Sequence, residues 1–148
     1  MRILLDTNIW VSAFLSPDGH CGRLVRRLLA DGDVEIFTSL PLIEEIVDVL
    51  GRPRLTRRYG FAPEEVKDYL SWIWSATLLV VPVAESYGCR DTDDDVVCGT
   101  AVAAGAQYLA TRDDDLKRDP TLMQALRTLG VEILTVSDLE GRLGASSG

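Results

Sequence analysis

Short apolar runs alternating with amphipathic stretches predict an α/β protein, a three-layer α/β/α sandwich with a central parallel sheet. The apolar runs are rich in Val, Ile and Leu, as strands buried on both faces are. The stretches between them repeat apolar residues at helical spacing, which supplies the crossovers that parallel strands require. With 148 residues, 47% hydrophobic and 26% charged, the chain suits one domain with a sizeable core. No linker or repeat suggests a second one.

Ile3 to Leu5 reads as the first strand, running into the turn-forming and capping residues Asp6-Thr7-Asn8 and then a helix from Ile9 to Leu15. Ser16-Pro17-Asp18-Gly19 breaks that helix. Leu24, Val25, Leu28 and Leu29 recur at helical spacing until Asp31-Gly32-Asp33, and Val34 to Thr38 is the second strand. Ser39 is placed to cap a helix with Pro41 in its first turn and an apolar face from Leu42 to Leu50, ending at Gly51. The arginine-rich residues that follow read as a loop. Pro63-Glu64-Glu65 opens the next helix, through Val66, Tyr69, Leu70, Ile73 and Trp74. Leu78 to Val83, wholly apolar and β-branched in part, predicts a buried parallel strand. Asp93 to Ala104 predicts a helix closed by Gly105, and Tyr108 to Thr111 a short buried strand that meets Asp113-Asp114-Asp115. Thr121 to Thr128 predicts a helix, Val131 to Val136 a last strand, and Ser137 to Glu140 a helical turn. The domain is expected over residues 1–140, with 141–148 a flexible tail.

Lys and Arg number 15 against 23 Asp and Glu, a net charge of −8, which excludes indiscriminate nucleic-acid binding by bulk charge. A polyanion has to be met by a local patch or a metal. Cys21, Cys89 and Cys98 lack metal-ligand spacing, and His20 is the single histidine, so neither a zinc site nor a two-histidine nuclease can be assembled. The odd cysteine count fits a reducing cytosol. Asp6 interrupts the first apolar run and Pro82 the longest one, so neither an export signal nor a membrane span is expected, and the protein is placed in the cytoplasm.

Parallel sheets bind ligands beyond the carboxyl ends of their strands, where strand order reverses. The first strand ends in Asp6 and the strand through Thr111 ends in Asp113. Asp91-Thr92-Asp93-Asp94-Asp95 opens the helix between them. If those strands are neighbours the three groups converge, and Glu45 joins them if its helix leans its polar side over the same edge. Clustered carboxylates repel, and a protein gathers them mainly to hold a divalent cation; oxygen ligands point to Mg²⁺ or Mn²⁺. Each acid also has an ordinary structural explanation. Asp6 can cap a helix, Asp91 to Asp95 can complement a helix dipole, Asp113 to Asp115 can form a solvated turn, and Glu44, Glu45 and Asp48 can be an exposed face. Asn8 and Thr111 can be a cap and a strand residue, or can steer Asp6 and Asp113 by hydrogen bonds.

Met1-Arg2-Ile3-Leu4-Leu5-Asp6-Thr7-Asn8, Ser39 to Leu50 with Glu45, Asp91 to Asp95, and Thr111-Arg112-Asp113-Asp114-Asp115-Leu116 together resemble the PIN domain. The resemblance runs from residue 1 to about residue 138 and is strongest to bacterial PIN proteins classed as toxins of toxin-antitoxin systems, relatives of VapC. It implies a metal-dependent ribonuclease whose catalytic acids match Asp6, Glu45, Asp94 and Asp113, with Asp6, Asp94 and Asp113 on the metal. It further implies supporting roles for Asn8 and Thr111, with Asp95 and Asp115 beside them, products ending in 5′-phosphate and 3′-hydroxyl, a homodimer, and an antitoxin partner. Three adjacent acids leave the third ligand among Asp93, Asp94 and Asp95; Asp94 is favoured because it leaves Val97 and Cys98 facing the core.

Arg52, Arg54, Arg57 and Arg58, with Tyr59 and Phe61 for base stacking, are the candidate RNA contacts, with Arg23, Arg26 and Arg27 on a helix; a solvated loop or an antitoxin-facing surface is the competing reading. Leu70, Trp72, Ile73 and Trp74 exceed what one helix face buries, which favours a homodimer. Two other functions compete: a catalytically silent PIN-like module that binds RNA or protein, and a phosphatase of the haloacid dehalogenase type, which requires a second Asp where this chain has Asn8.

Overall fold

A computed structural model describes residues 1–146. β1 (Arg2–Leu5) leads through Asp6 into α1 (Thr7–Leu15) and α2 (His20–Ala30), and β2 (Glu35–Thr38) leads into α3 (Leu40–Leu50), α4 (Pro53–Tyr59) and α5 (Pro63–Ala76). β3 (Leu78–Leu79) precedes α6 (Thr92–Ala104), β4 (Tyr108–Ala110), α7 (Asp114–Lys117) and α8 (Pro120–Thr128), and β5 (Glu132–Leu134) precedes α9 (Val136–Ser146).

Among the described residues the strands form one five-stranded sheet in the order β3-β2-β1-β4-β5, every pair parallel. Strand order reverses at β1: the chain moves outward through β2 and β3, then crosses to β4 on the other side of β1. A crevice therefore opens between the carboxyl ends of β1 and β4.

Strand pleat sends alternate side chains to opposite faces, and both faces here are apolar. Ile3, Leu5, Ile36, Ala110 and Leu134 join one core with Trp10, Leu24, Ile46 and Leu139; Leu4, Phe37, Leu109 and Ile133 join the other with Cys98, Leu122 and Leu126. Helices cover the sheet on both sides, the sandwich that the sequence predicts. Val97 and Cys98 are 2% and 0% exposed, so α6 presents them to the core in the phase expected from Asp94.

Four expectations need correction. The run from Leu78 to Val83 forms only the two-residue β3, and it lies at the sheet edge with Leu78, Leu79 and Val81 exposed. An apolar run cannot distinguish a central strand from an edge one, and Pro82 removes the donor that would continue the ladder. The arginine segment is not a loop: Pro53 stands in the first turn of α4, and Gly60, at φ 66°, closes it. Ser39 precedes α3 but does not cap it with its side chain; its hydroxyl instead pairs with that of Thr100 at 2.9 Å. The chain does not turn into a tail at residue 141, because α9 continues to Ser146 and buries Leu143. Residues 147–148 of that expected tail lie outside the described residues.

Between β3 and α6 the chain lies directly on the helix. Val83 N–H donates to the carbonyl of Gly99 at 3.0 Å, and a Cβ on Gly99 would sit 2.3 Å from the Val83 carbonyl oxygen. Only glycine permits that approach, which holds the segment before α6 against the middle of the helix.

Candidate metal centre

Asp6 is the hinge between β1 and α1. Its N–H extends the ladder to the Ala110 carbonyl at 3.0 Å, while Oδ1 accepts from Thr7 N–H at 2.7 Å and so caps α1. Oδ2 accepts from the Thr111 hydroxyl at 2.7 Å and from the Asn8 amide at 3.3 Å. Asn8 in turn accepts from Arg112 N–H at 3.3 Å, and the Thr111 oxygen accepts from Asp113 N–H at 2.9 Å. The ends of β1 and β4 are thus stitched together by side chains, with Asp6 at the centre and only 5% exposed.

Three helices begin at this edge, each on an aspartate. Asp6 caps α1, Asp91 caps α6 through Asp93 N–H at 2.9 Å, and Asp113 caps α7 through Asp115 N–H at 2.9 Å. Capping, the structural role expected for Asp6 alone, thus extends to Asp91 and Asp113, but it leaves Asp94 without a role. Asp94 lies in the first turn of α6 and shares with Asp6, Asn8, Glu45 and Asp113 a cleft of about 230 Å³. Its Oδ2 is buried without a hydrogen-bond partner among the described residues. Oxygens of Asp94, Asp113 and Asp115 also lie within 4.8 Å of one another.

The electrostatics match that crowding. Burial, helped by Glu45 and Asp113 and opposed by the bonds from Thr111 and Thr7, pushes the Asp6 carboxyl up to about 6. Burial first, then the charges of Asp113, Asp6, Asp91 and Asp115, push Asp94 up to about 7. A buried carboxylate oxygen with no donor, among like charges, is an unfavourable state that a cation relieves. The all-oxygen donor set fits a hard divalent ion such as Mg²⁺ or Mn²⁺.

The sequence-predicted residues separate clearly. Asp6, Glu45, Asp94 and Asp113 meet in one cleft, and Asn8 and Thr111 hold Asp6. Asp93 is exposed, and Asp95 turns aside to accept from Tyr87 N–H at 2.9 Å, anchoring the segment before α6. Asp115 stands on the rim, 3.8 Å from Arg90. Arg52, Arg54, Arg57 and Arg58 are all exposed on or beside α4, Arg52 lying 3.4 Å from Asp48 and Arg58 over the Tyr59 ring. Phe61 is half-buried, its ring packing edge-on against Phe14 with centroids 5.0 Å apart. Sequence reasoning read Thr7 only as a turn-forming or capping residue. Its N–H holds Asp6 and its hydroxyl donates to Glu45 Oε2 at 3.1 Å, tying α3 to the site; a hydroxyl directly after a strand-end acid was the available signal.

A model described as PIN domain matches residues 2–115, most of the chain and all of these acids. The chain belongs to the PIN domain family. PIN domains are generally nucleases that use divalent metals. This PIN domain is 27% identical over 116 residues to the uncharacterized protein MJ1680 of Methanocaldococcus jannaschii, covering 78% of this chain and 73% of that protein. Its fold is similar to a chain in the crystal structure of VapBC2 from Rickettsia felis bound to a DNA fragment from their promoter, with a TM-score of 0.60, 19% identity, and 91% and 98% of the two chains covered. Asn8, at the position where a dehalogenase-type phosphatase needs a second acid, donates to Asp6 and so positions it.

Proposed function

We propose that this PIN domain is a ribonuclease that hydrolyses RNA phosphodiester bonds with Mg²⁺ or Mn²⁺, and that it is the toxin of a toxin-antitoxin pair acting in the cytoplasm. The observation that carries the reading is the unpartnered, buried Asp94 Oδ2 facing Asp6 and Asp113 at the strand-order switch point. Family membership supports the nuclease class.

Asp6, Asp94 and Asp113 would hold the ion, with Asp115 at the rim of the same group. When bound, a divalent ion supplies positive charge against phosphate oxygens and lowers the pKa of a water. The remaining work belongs to the protein. Thr7, Asn8 and Thr111 fix the Asp6 carboxylate in one orientation, so no reorganisation is needed when substrate arrives. Glu45, tied to Thr7 through Oε2, keeps Oε1 for the proton of the attacking water. The leaving 3′-oxygen is protonated from solvent, giving 5′-phosphate and 3′-hydroxyl ends. Arg52, Arg54, Arg57 and Arg58 offer exposed charge for the RNA backbone.

The deciding experiment is cleavage of single-stranded RNA by protein free of contaminating nuclease, with Mg²⁺ or Mn²⁺ and again in EDTA. Cleavage only with metal is expected; undiminished cleavage in EDTA refutes the mechanism, and RNA binding without cleavage under either metal favours the silent binding module. The antitoxin is expected to insert an Arg or Lys among the carboxylates, which a co-purified complex with the cleft open would contradict. Trp72 and Trp74, 39% and 54% exposed on α5, support a homodimer, which light scattering at high micromolar concentration tests.

A further inference from the structure

Beside the acidic cleft lies a second cavity of about 390 Å³ with the opposite chemistry. His20, Arg112 and Lys117 line it together with serine and threonine hydroxyls, and no carboxylate is among its lining residues. Glu140 reaches His20 at 2.9 Å and Asp114 reaches Lys117 at 3.4 Å, both from outside that lining. The Arg112 guanidinium donates to the Ser12 hydroxyl rather than to a carboxylate.

The two cavities share a wall. Ser12 lines both, and Thr111, which lines the basic cavity, donates its hydroxyl to Asp6 Oδ2 at 2.7 Å. After β4 the chain divides between the two cavities: Thr111 and Arg112 line the basic one and Asp113 the acidic cleft. The N-terminus of α2 adds to the positive field, because Gly19 caps it without a side chain and both Gly19 and His20 line the cavity.

We propose that this cavity is the subsite for the RNA nucleotide next to the scissile bond, with Arg112 taking its phosphate. The proposal rests on the nuclease reading of the acidic cleft and adds to it the residue that sets the substrate's register. A chain of net charge −8 has to hold a polyanion locally, and here a basic, hydroxyl-lined cavity adjoins the centre that would cut it. Its volume, about 390 Å³, lies within the range of about 300–1,000 Å³ usual for small-ligand sites. Tyr59, exposed and also lining the cavity, offers a face for the base. Arg112 acts as a positioning residue: its side chain fixes where the neighbouring phosphate sits and takes no part in the chemistry.

The test uses the full chain in EDTA, where no cleavage occurs, titrated with a five-nucleotide single-stranded RNA, 5′-AMP, inorganic phosphate and adenosine, and read by amide chemical shifts. RNA and AMP should shift the amides of Gly19, His20 and Arg112, and adenosine should not. Arg112→Ala should weaken RNA binding about tenfold and flatten its salt dependence, and Arg112→Lys should recover part of the loss. The backbone bond from Arg112 N–H to Asn8 survives both substitutions, and melting curves verify the fold. With metal, Arg112→Ala should raise KM with little change in kcat. Shifts confined to other surfaces, equal RNA binding by Arg112→Ala and the unsubstituted protein, or binding of phosphate and AMP but not RNA each overturn the subsite. Cleavage without binding here removes the subsite and leaves the nuclease standing, whereas binding here without cleavage under any metal retains the phosphate site and removes the nuclease.

Discussion

Replacing Asp6 with Asn should make the metal-free protein more stable at pH 8 and less stable at pH 4. In the folded state burial holds the Asp6 carboxyl at about 6 against 3.8 for an unperturbed group. A folded pKa above the unfolded one means stability that is complete below pH 4 and is lost as pH rises through 6. The shift is about two units, and at about 1.36 kcal/mol per unit the ionised carboxylate costs about 3 kcal/mol at pH 8. Asn removes that cost and adds a smaller one. Its amide nitrogen, in place of Oδ2, would face two donors, the Thr111 hydroxyl at 2.7 Å and the Asn8 amide at 3.3 Å. Mismatching those bonds costs about 1–2 kcal/mol, so the net gain at pH 8 is about 1–2 kcal/mol. Loss of the Asp6 charge also relieves Asp94, in the same direction. At pH 4 the native carboxyl is already neutral and only the mismatch remains. For a chain of this length 1 kcal/mol corresponds to about 2–4 °C in Tm. Urea and thermal unfolding at pH 4, 6 and 8, in EDTA and with Mn²⁺, read the effect directly. Mn²⁺ at a hundred times its Kd should stabilise the unsubstituted protein by about 2.7 kcal/mol and the variant far less. A variant destabilised equally at pH 4 and pH 8, or stabilised by Mn²⁺ as much as its parent, would refute the reasoning and reduce Asp6 to a helix cap.

Asp94→Asn should abolish RNA cleavage while Asp93→Asn retains most of it, because Asp94 and not the exposed Asp93 lines the cleft; parallel assays under Mn²⁺ decide, and activity surviving in Asp94→Asn moves the ligand to a neighbour. Thr7→Val keeps the N–H that caps α1 but deletes the hydroxyl bond to Glu45, so kcat should fall while stability drops by about 1 kcal/mol; an unchanged kcat removes Glu45 positioning from the mechanism. Gly99→Ala should cost about 1–3 kcal/mol and lower Tm measurably, since its Cβ meets the Val83 carbonyl at 2.3 Å; an unaltered melting curve would show that the segment before α6 yields freely.

Much of the fold and of the acidic cleft was legible in the chain. Alternating apolar runs and helical periods specified a parallel sheet covered on both faces, and aspartates at the ends of two strands and the start of a helix marked the edge where chemistry sits. Phase within one element was legible too: Val97 and Cys98, three and four residues after Asp94 and so on its side of α6, are buried as that period requires. Such readings succeed because backbone geometry is local, repeating every two residues in a strand and every 3.6 in a helix.

What the sequence left open depended on which elements become neighbours. Only the placement of β4 beside β1 lets the Thr111 hydroxyl reach Asp6 across 105 residues of chain, and only the packed fold leaves Asp94 Oδ2 buried without a donor among the described residues. The position of β3 at the edge exposes an apolar run that reads as central, and α1 packing against the α4–α5 connection engages one edge of Phe61. Ser12, His20, Arg112 and Lys117 show no common spacing, yet the fold gathers them into one cavity. Burial, orphaned atoms, shifted acidities and cavities arise from contacts between residues distant in sequence, and no local period encodes which distant residue will supply the missing partner.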